Sequence, residues 1–155
     1  MTGVLLGSSD VPLMNEEIAP SALAVDCVLA SPLRRAWRTA ELLFPGPSVA
    51  ILPELAERGL GEWELKSWGE VVAGWPDLAA RAGTDWFGVT PPGGEPWDEF
   101  VARLGQVWDG VSRSATTAIV AHAGVNSVLA HWADGREIAT FQQDYLEVIS
   151  LGLSD

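Results

Sequence analysis

Three short stretches carry side chains whose types and spacing can do chemistry. In "LASPLRRAWRTAELL", residues 29–43, Arg34, Arg35 and Arg38 fall within five residues, in a chain with nine Lys and Arg and a formal net charge of −12. They follow a short apolar run and a Ser-Pro pair. That order predicts a helix with Ser31 as N-cap and Pro32 at its first position. Cations in a first helical turn are repelled by the partial positive charge there. An anion bound at the same place reverses the sign, because it meets free N–H groups and a guanidinium together. The trio therefore points to a phosphate or carboxylate ligand. The competing reading is that all three Arg are solvated or paired with neighbouring acids. Arg34 and Arg38 are i, i+4 neighbours and fit a surface stripe, whereas Arg35 points about 100° away from Arg34 around the helix.

The second stretch, "TTAIVAHAGVNSVLAHW" (116–132), reads as an apolar strand, then His122, then small residues, then a helix. Ligands of open α/β sheets bind beyond the carboxyl ends of strands, so His122 and Arg35 are expected at one edge of the sheet. The small residues after His122 leave room for a ligand. His131, the other histidine, is expected to be packing or solvated. The third stretch, "LAERGLGEWE" (55–64), sets Glu57, Glu62 and Glu64 around Gly59 and Gly61. A carboxylic acid from this group beside His122 and Arg35 would place a proton donor at an anion site; the bland alternative is three solvated acids. "PPGGEP" (91–96) is a fourth candidate, or simply a turn before a helix.

The elements that must position these groups are legible. Residues 25–30, 49–52, 117–121 and 146–151 read as short buried strands. Residues 32–44 place Leu33, Ala36, Trp37, Ala40 and Leu43 on one helical face. Residues 96–111 place Trp97, Phe100, Val101, Leu104, Val107, Trp108 and Val111 at helical spacing. A third helix is predicted over 125–132, ended by "ADG". One or two more fall within 68–82, broken near "GWPD". Alternating strands and helices indicate an α/β domain with a mostly parallel sheet. Residues 83–95, "GTDWFGVTPPGGE", read as a long loop of the kind that is often functional.

A chain of 155 residues, 48% hydrophobic with eight Trp, fits one packed domain (1–155), with most of the Trp in the core. The acidic balance argues against nucleic acid. No apolar stretch approaches the ~20 residues of a membrane span, and "MTGVLLGSSDVPL" has no signal-peptide pattern, so a cytoplasmic location and no membrane association are expected. Cys27, the one cysteine, is expected to be a packed thiol.

Five segments together resemble the histidine phosphatase, or phosphoglycerate mutase-like, superfamily. "ASPLRRAWRTAELL" resembles the signature "SPLxRAxQTA", and "ERGLGEWE" the acid-bearing "ExxxGxWEG". "PPGGE" and "VAHAGV" match two later motifs in order, and "GSSDVPL" (7–13) resembles the "GxxDxPL" that follows the first motif. "DYLEVISL" is similar to the "DYGEV" of α-ribazole phosphatases, which act in cobalamin assembly. The resemblance implies a doubly wound α/β fold with helices on both faces of a mostly parallel sheet. It implies phosphoryl transfer through a phosphohistidine on a small phosphorylated substrate. Arg35, with Ala123, would hold the phosphate; Glu57 would protonate the leaving oxygen; His122 would bond the phosphate and stabilise the transition state; Ser8 or Ser9 would line the mouth. No metal and no other cofactor is implied.

The chain departs from the pattern at the family's first motif, "RHG" or "RHA", whose His is the nucleophile. It begins at "MTGVLLGSSD", just downstream of where that motif belongs, and neither of its two His lies near the N-terminus. The resemblance thus implies a domain that is N-terminally short and missing its first central strand, prone to pair with a second copy along the gap. Either it is a truncated or mis-started form of an active enzyme, or a short form that has lost catalysis and binds a phosphorylated ligand, inorganic phosphate or a protein. Leu65 and Leu146 replace family glycines, Pro96 a Ser or Thr, and Asn126 and Ser127 part of "VIR".

Overall fold

The computed structural model describes residues 3–152. Along the chain the elements are β1 (Cys27–Ala30), α1 (Arg34–Leu43), β2 (Val49–Ile51), α2 (Trp68–Gly74), α3 (Pro76–Ala82), α4 (Trp97–Gly110), β3 (Thr117–Val120) and α5 (Ala123–Asp134). They divide into two compact units, one of residues 10–57 and 104–152, the other of residues 3–9 and 58–103.

The first of these units holds the sheet. Its strands are parallel, in the order β2-β1-β3. Val28 lies opposite Val49 and Ala118, and Ala30 opposite Ile51 and Val120. The central strand β1 is the most deeply buried: Val28 is 1% and Ala30 0% exposed. Both join Ala40 and Phe44 in a core flanked by Trp37, Leu43, Val49, Ala118 and Val120. Helix α1 packs on all three strands, as its apolar face predicts. Helix α5 ends at Gly135, whose φ of +77° makes the left-handed cap that "ADG" announces, with its N–H on the His131 carbonyl.

Two expectations for this unit are corrected. Ser31 is not the N-cap of α1. Leu33 takes that position, and the Ser31 hydroxyl accepts the Leu33 N–H at 3.2 Å in a turn ahead of the helix. The N–H of Arg34 goes instead to the Asp10 carboxylate at 2.6 Å, so an acid of the chain itself sits at this helix start. The fourth strand, over 146–151, does not form. Leu146 has φ +62°, which an extended run excludes, and a turn closes there through Glu147 N–H to Asp144 O at 3.0 Å. Tyr145, Leu146 and Val148 are exposed. Among the described residues the sheet therefore has three strands. Helix α5 also begins two residues earlier than the periodicity predicts, at Ala123.

The other unit is built on α2 and α3. Ser67 and Glu70 form a reciprocal capping box at the start of α2. Trp75 then ends α2, and Pro76 opens α3, which is the break expected near "GWPD". Leu60, Trp63, Val71, Ala79, Ala82 and Val89 form the core. Of the eight Trp only Trp63 is fully buried, and Trp68 is 39% exposed, so most are not core residues. Their large rings cover the edges of cores while one face meets water. The loop over 83–95 is organised by a residue that motif reading passes over. Arg58, 3% exposed, donates from Nε to Glu95 O and from Nη2 to Val89 O, each at 2.9 Å, and its guanidinium lies 5.6 Å from the centre of the Trp97 ring. Glu95 in turn accepts from Arg103 Nε at 2.6 Å and Nη2 at 3.0 Å.

Leu65 has φ +61°, and with Leu146 it is the second non-glycine in the left-handed region. These are the two positions at which leucine replaces a glycine of the resemblance. The backbone keeps a conformation suited to glycine, and each leucine is strained by about 1 kcal/mol.

Candidate functional site

The carboxyl ends of the three strands deliver the candidate residues. Beyond β1, Ser31 is fully buried and its N–H donates to Val120 O at 3.0 Å, which ties the end of β1 to the end of β3. Beyond β3, His122 is 9% exposed and forms the N-cap of α5. Its Nε2 lies 2.7 Å from Ser31 Oγ. Beyond β2, Leu52 N–H donates to Ala30 O at 2.9 Å, a 3₁₀ turn over Pro53–Leu55 buries Leu55 completely, and the chain reaches Glu57. The half-buried Glu57 carboxylate accepts the Gly124 N–H at 3.0 Å, in the first turn of α5. A Cβ on Gly124 would stand 2.5 Å from Glu57 Oε1, so glycine is what lets this carboxylate come so close.

Glu57 and His122 thus meet at the N-terminus of one twelve-residue helix, and Ser31 joins them through the ring of His122. Arg35 is half-buried in the first turn of α1, at the same edge of the sheet, and its carbonyl accepts the Thr39 hydroxyl at 2.7 Å. Ala123 is exposed as the first residue of α5. Arg38 is a surface residue: Glu16 and Glu41 hold it at 2.9 Å each, and their hydrogen bonds raise its pKa. His131 is exposed, with Nδ1 2.9 Å from Arg136 O. Cys27 is half-buried rather than packed away, its Sγ 3.1 Å from Thr117 Oγ1.

Ser8, Ser9 and Glu64 belong to the other unit, where they form a closed arrangement of their own. The Glu64 carboxylate accepts N–H groups from Gly7 at 3.0 Å, Ser8 at 2.8 Å, Ser9 at 3.3 Å and Leu60 at 2.9 Å, and the Ser8 hydroxyl at 3.2 Å. Burial pushes this carboxyl group up. The N–H of Leu60, the Ser9 side chain and the N–H groups of Ser8 and Gly7 outweigh it and hold the group below its ordinary value. Glu62 is exposed.

Motif reading separates Arg35 from Arg38 and finds Glu57 and His122, but it takes Ser31 for a cap. No local signal corrects it, because Pro32 directly after Ser31 fits a cap; the helix begins later, with Leu33 as its N-cap. Asp10 is also passed over, because its partner lies 24 residues away.

Residues 6–154 match the model of the histidine phosphatase superfamily, branch 1. An adenosylcobalamin/alpha-ribazole phosphatase of Salmonella typhimurium is 36% identical over 109 residues, covering 67% of this chain and 54% of that protein. The chain spans about half the length of the curated α-ribazole phosphatases it matches. The crystal structure of the alpha-ribazole phosphatase from Shigella flexneri superposes with a TM-score of 0.76 at 26% identity, over 89% of this chain and 75% of that one. A phosphoglycerate mutase from Thermus thermophilus superposes with a TM-score of 0.69 at 31% identity, over 87% of this chain and 77% of that one. The sheet with its helices is accordingly the phosphoglycerate mutase-like α/β fold, and the chain belongs to branch 1 of the histidine phosphatase superfamily.

Proposed function

We propose that this chain acts on a small phosphate monoester, of the α-ribazole phosphate class, by phosphohistidine-type transfer. Arg35 and the Ala123 N–H hold the phosphate, and His122 bonds its oxygens as charge builds during transfer. Glu57, in its acid form, gives its proton to the leaving oxygen as the ester P–O bond breaks and phosphorus bonds to the nucleophilic His of the family's first motif, which is neither of the two His in these 155 residues. The observation that carries the reading is the Glu57 carboxylate on the Gly124 N–H, beside His122. The free N–H groups of a helix start suit an anion, and Glu57 in its protonated form supplies an acid next to them. The α-ribazole phosphatase relatives support the substrate class.

Turnover by these 155 residues taken alone is expected to be slow, because their two His are His122, already assigned, and the exposed His131. A second reading is a non-catalytic module that binds a phosphorylated ligand, which the N–H groups and His122 at the start of α5 would serve. The deciding measurement is hydrolysis of an aryl phosphate by the 155-residue chain, beside a His122→Ala control and a titration with inorganic phosphate. Slow hydrolysis that disappears in the control supports the enzyme. Phosphate binding that weakens in Arg35→Ala, with no hydrolysis, supports the binding module. A chain that neither hydrolyses nor binds overturns both.

A further inference from the structure

We propose that Ser31 is a positioning residue that fixes the neutral ring of His122 as the tautomer with its proton on Nδ1. The inference rests on the phosphate-binding role given to His122 above. One hydroxyl group decides the tautomer. Ser31 is 0% exposed, so its proton cannot go to water. Its Oγ has two neighbours within hydrogen-bond distance among the described residues, the Leu33 N–H at 3.2 Å and His122 Nε2 at 2.7 Å. The first is a donor and occupies one lone pair. The hydroxyl proton then has a single acceptor, the lone pair of Nε2. A neutral ring whose Nε2 accepts carries its proton on Nδ1.

The chemical consequence is a hydrogen-bond donor on a neutral imidazole. Phosphate oxygens accept and never donate at full charge, so a ring that presents a donor suits them, and a ring that presents a lone pair does not. Ser31 also holds the ring against rotation. The backbone of His122 is set by the Asn126 N–H on its carbonyl at 2.8 Å, and the Nε2 contact fixes the far end of the side chain. A second proton on the ring would leave the buried Ser31 hydroxyl proton without its acceptor, so the contact favours the neutral ring.

The test is imidazole ¹⁵N NMR of the full 155-residue chain over a pH series, read on the alkaline plateau where the ring signals no longer move with pH. With two His in the sequence the spectrum holds two rings, and His122→Ala assigns them. The expected result is a His122 ring with distinct nitrogen signals, Nδ1 protonated and Nε2 an acceptor. In Ser31→Ala these signals move toward the average of the two tautomers, and the affinity for inorganic phosphate falls about tenfold. Ser31→Thr, which keeps the hydroxyl, restores the signals. A wild-type ring that is protonated on Nε2 or averages between tautomers overturns the proposal, whatever the variants do. So does a folded Ser31→Ala chain with unchanged His122 signals. A fixed tautomer with no response to phosphate overturns the proposed function instead.

Discussion

Glu57 and Glu64 stand seven residues apart in "LAERGLGEWE", and both rest their carboxylates on backbone N–H groups. Glu64 meets four of them and a hydroxyl, all within a unit without strands, and is held below its ordinary pKa. Glu57 meets the start of α5, at the carboxyl ends of parallel strands and beside His122. The first arrangement uses the acid to fasten the segment Gly7–Ser9. The second leaves it next to groups that suit a phosphate. Residue type is the same; what separates the two environments is the number of donors and the element they come from.

The comparison breaks most readily by exchange of each acid for its amide. Glu57→Gln is expected to lower any aryl phosphate hydrolysis by about 10²-fold or more while leaving the urea midpoint unchanged. Glu64→Gln is expected to do the reverse, with turnover kept and stability lost by about 1–2 kcal/mol, because an amide oxygen satisfies fewer of the converging N–H groups. Equal kinetic losses in the two variants would erase the distinction.

Acidification sharpens the same contrast. The folded pKa of Glu64 is depressed, so its contribution to stability is fully present above the ordinary carboxylate value and is lost as pH falls through the depressed folded value. The difference in urea midpoint between wild type and Glu64→Gln should therefore be constant near neutrality and shrink as pH drops below about 4. A difference that grows with acid would reverse the assigned sign.

Smaller effects probe the surroundings of each acid. Gly124→Ala pushes the Glu57 carboxylate away from α5 without removing it. Hydrolysis or phosphate binding should change by about tenfold while the helix gains up to ~1 kcal/mol from the better helix former. Opposite signs in kinetics and urea melts are the signature to seek. Beside Glu64, Leu65→Gly relieves the left-handed strain at φ +61°. The expected gain is at most about 1 kcal/mol, because glycine also loosens the unfolded chain. A lower urea midpoint in that variant would show that the exposed leucine is held by something stronger than its backbone.

Much of the fold was legible because its signals are local. The apolar face of α1, the Trp75-Pro76 break and three of the four strands follow from periodicity and punctuation in short windows. The places of Arg35 at the start of α1 and of His122 beyond β3 were legible because strand ends and helix starts are marked by Pro and Gly, whereas only the resemblance singled Glu57 out from its two neighbouring acids. The rest depends on partners distant in sequence. Ser31 reads as a cap until His122, 91 residues on, takes its hydroxyl. Residues 146–151 read as a strand because composition does not reveal the left-handed backbone at Leu146. Arg58 is passed over because the carbonyls it meets, those of Trp86 and Val89, lie 28 and 31 residues on.

The alignment of Ala30 with Val120 has a consequence for how this molecule ages under mutation. Ser31 and His122 sit one and two residues past that pair, so their contact works like a vernier on the sheet. A slip of one residue displaces one of them by about 3.3 Å, more than the whole length of the bond. Substitutions that loosen β1 against β3, such as a smaller residue at Val28, should therefore disturb the Ser31–His122 contact while the chain still counts as folded. Loss of that contact is then the early warning and unfolding the late one.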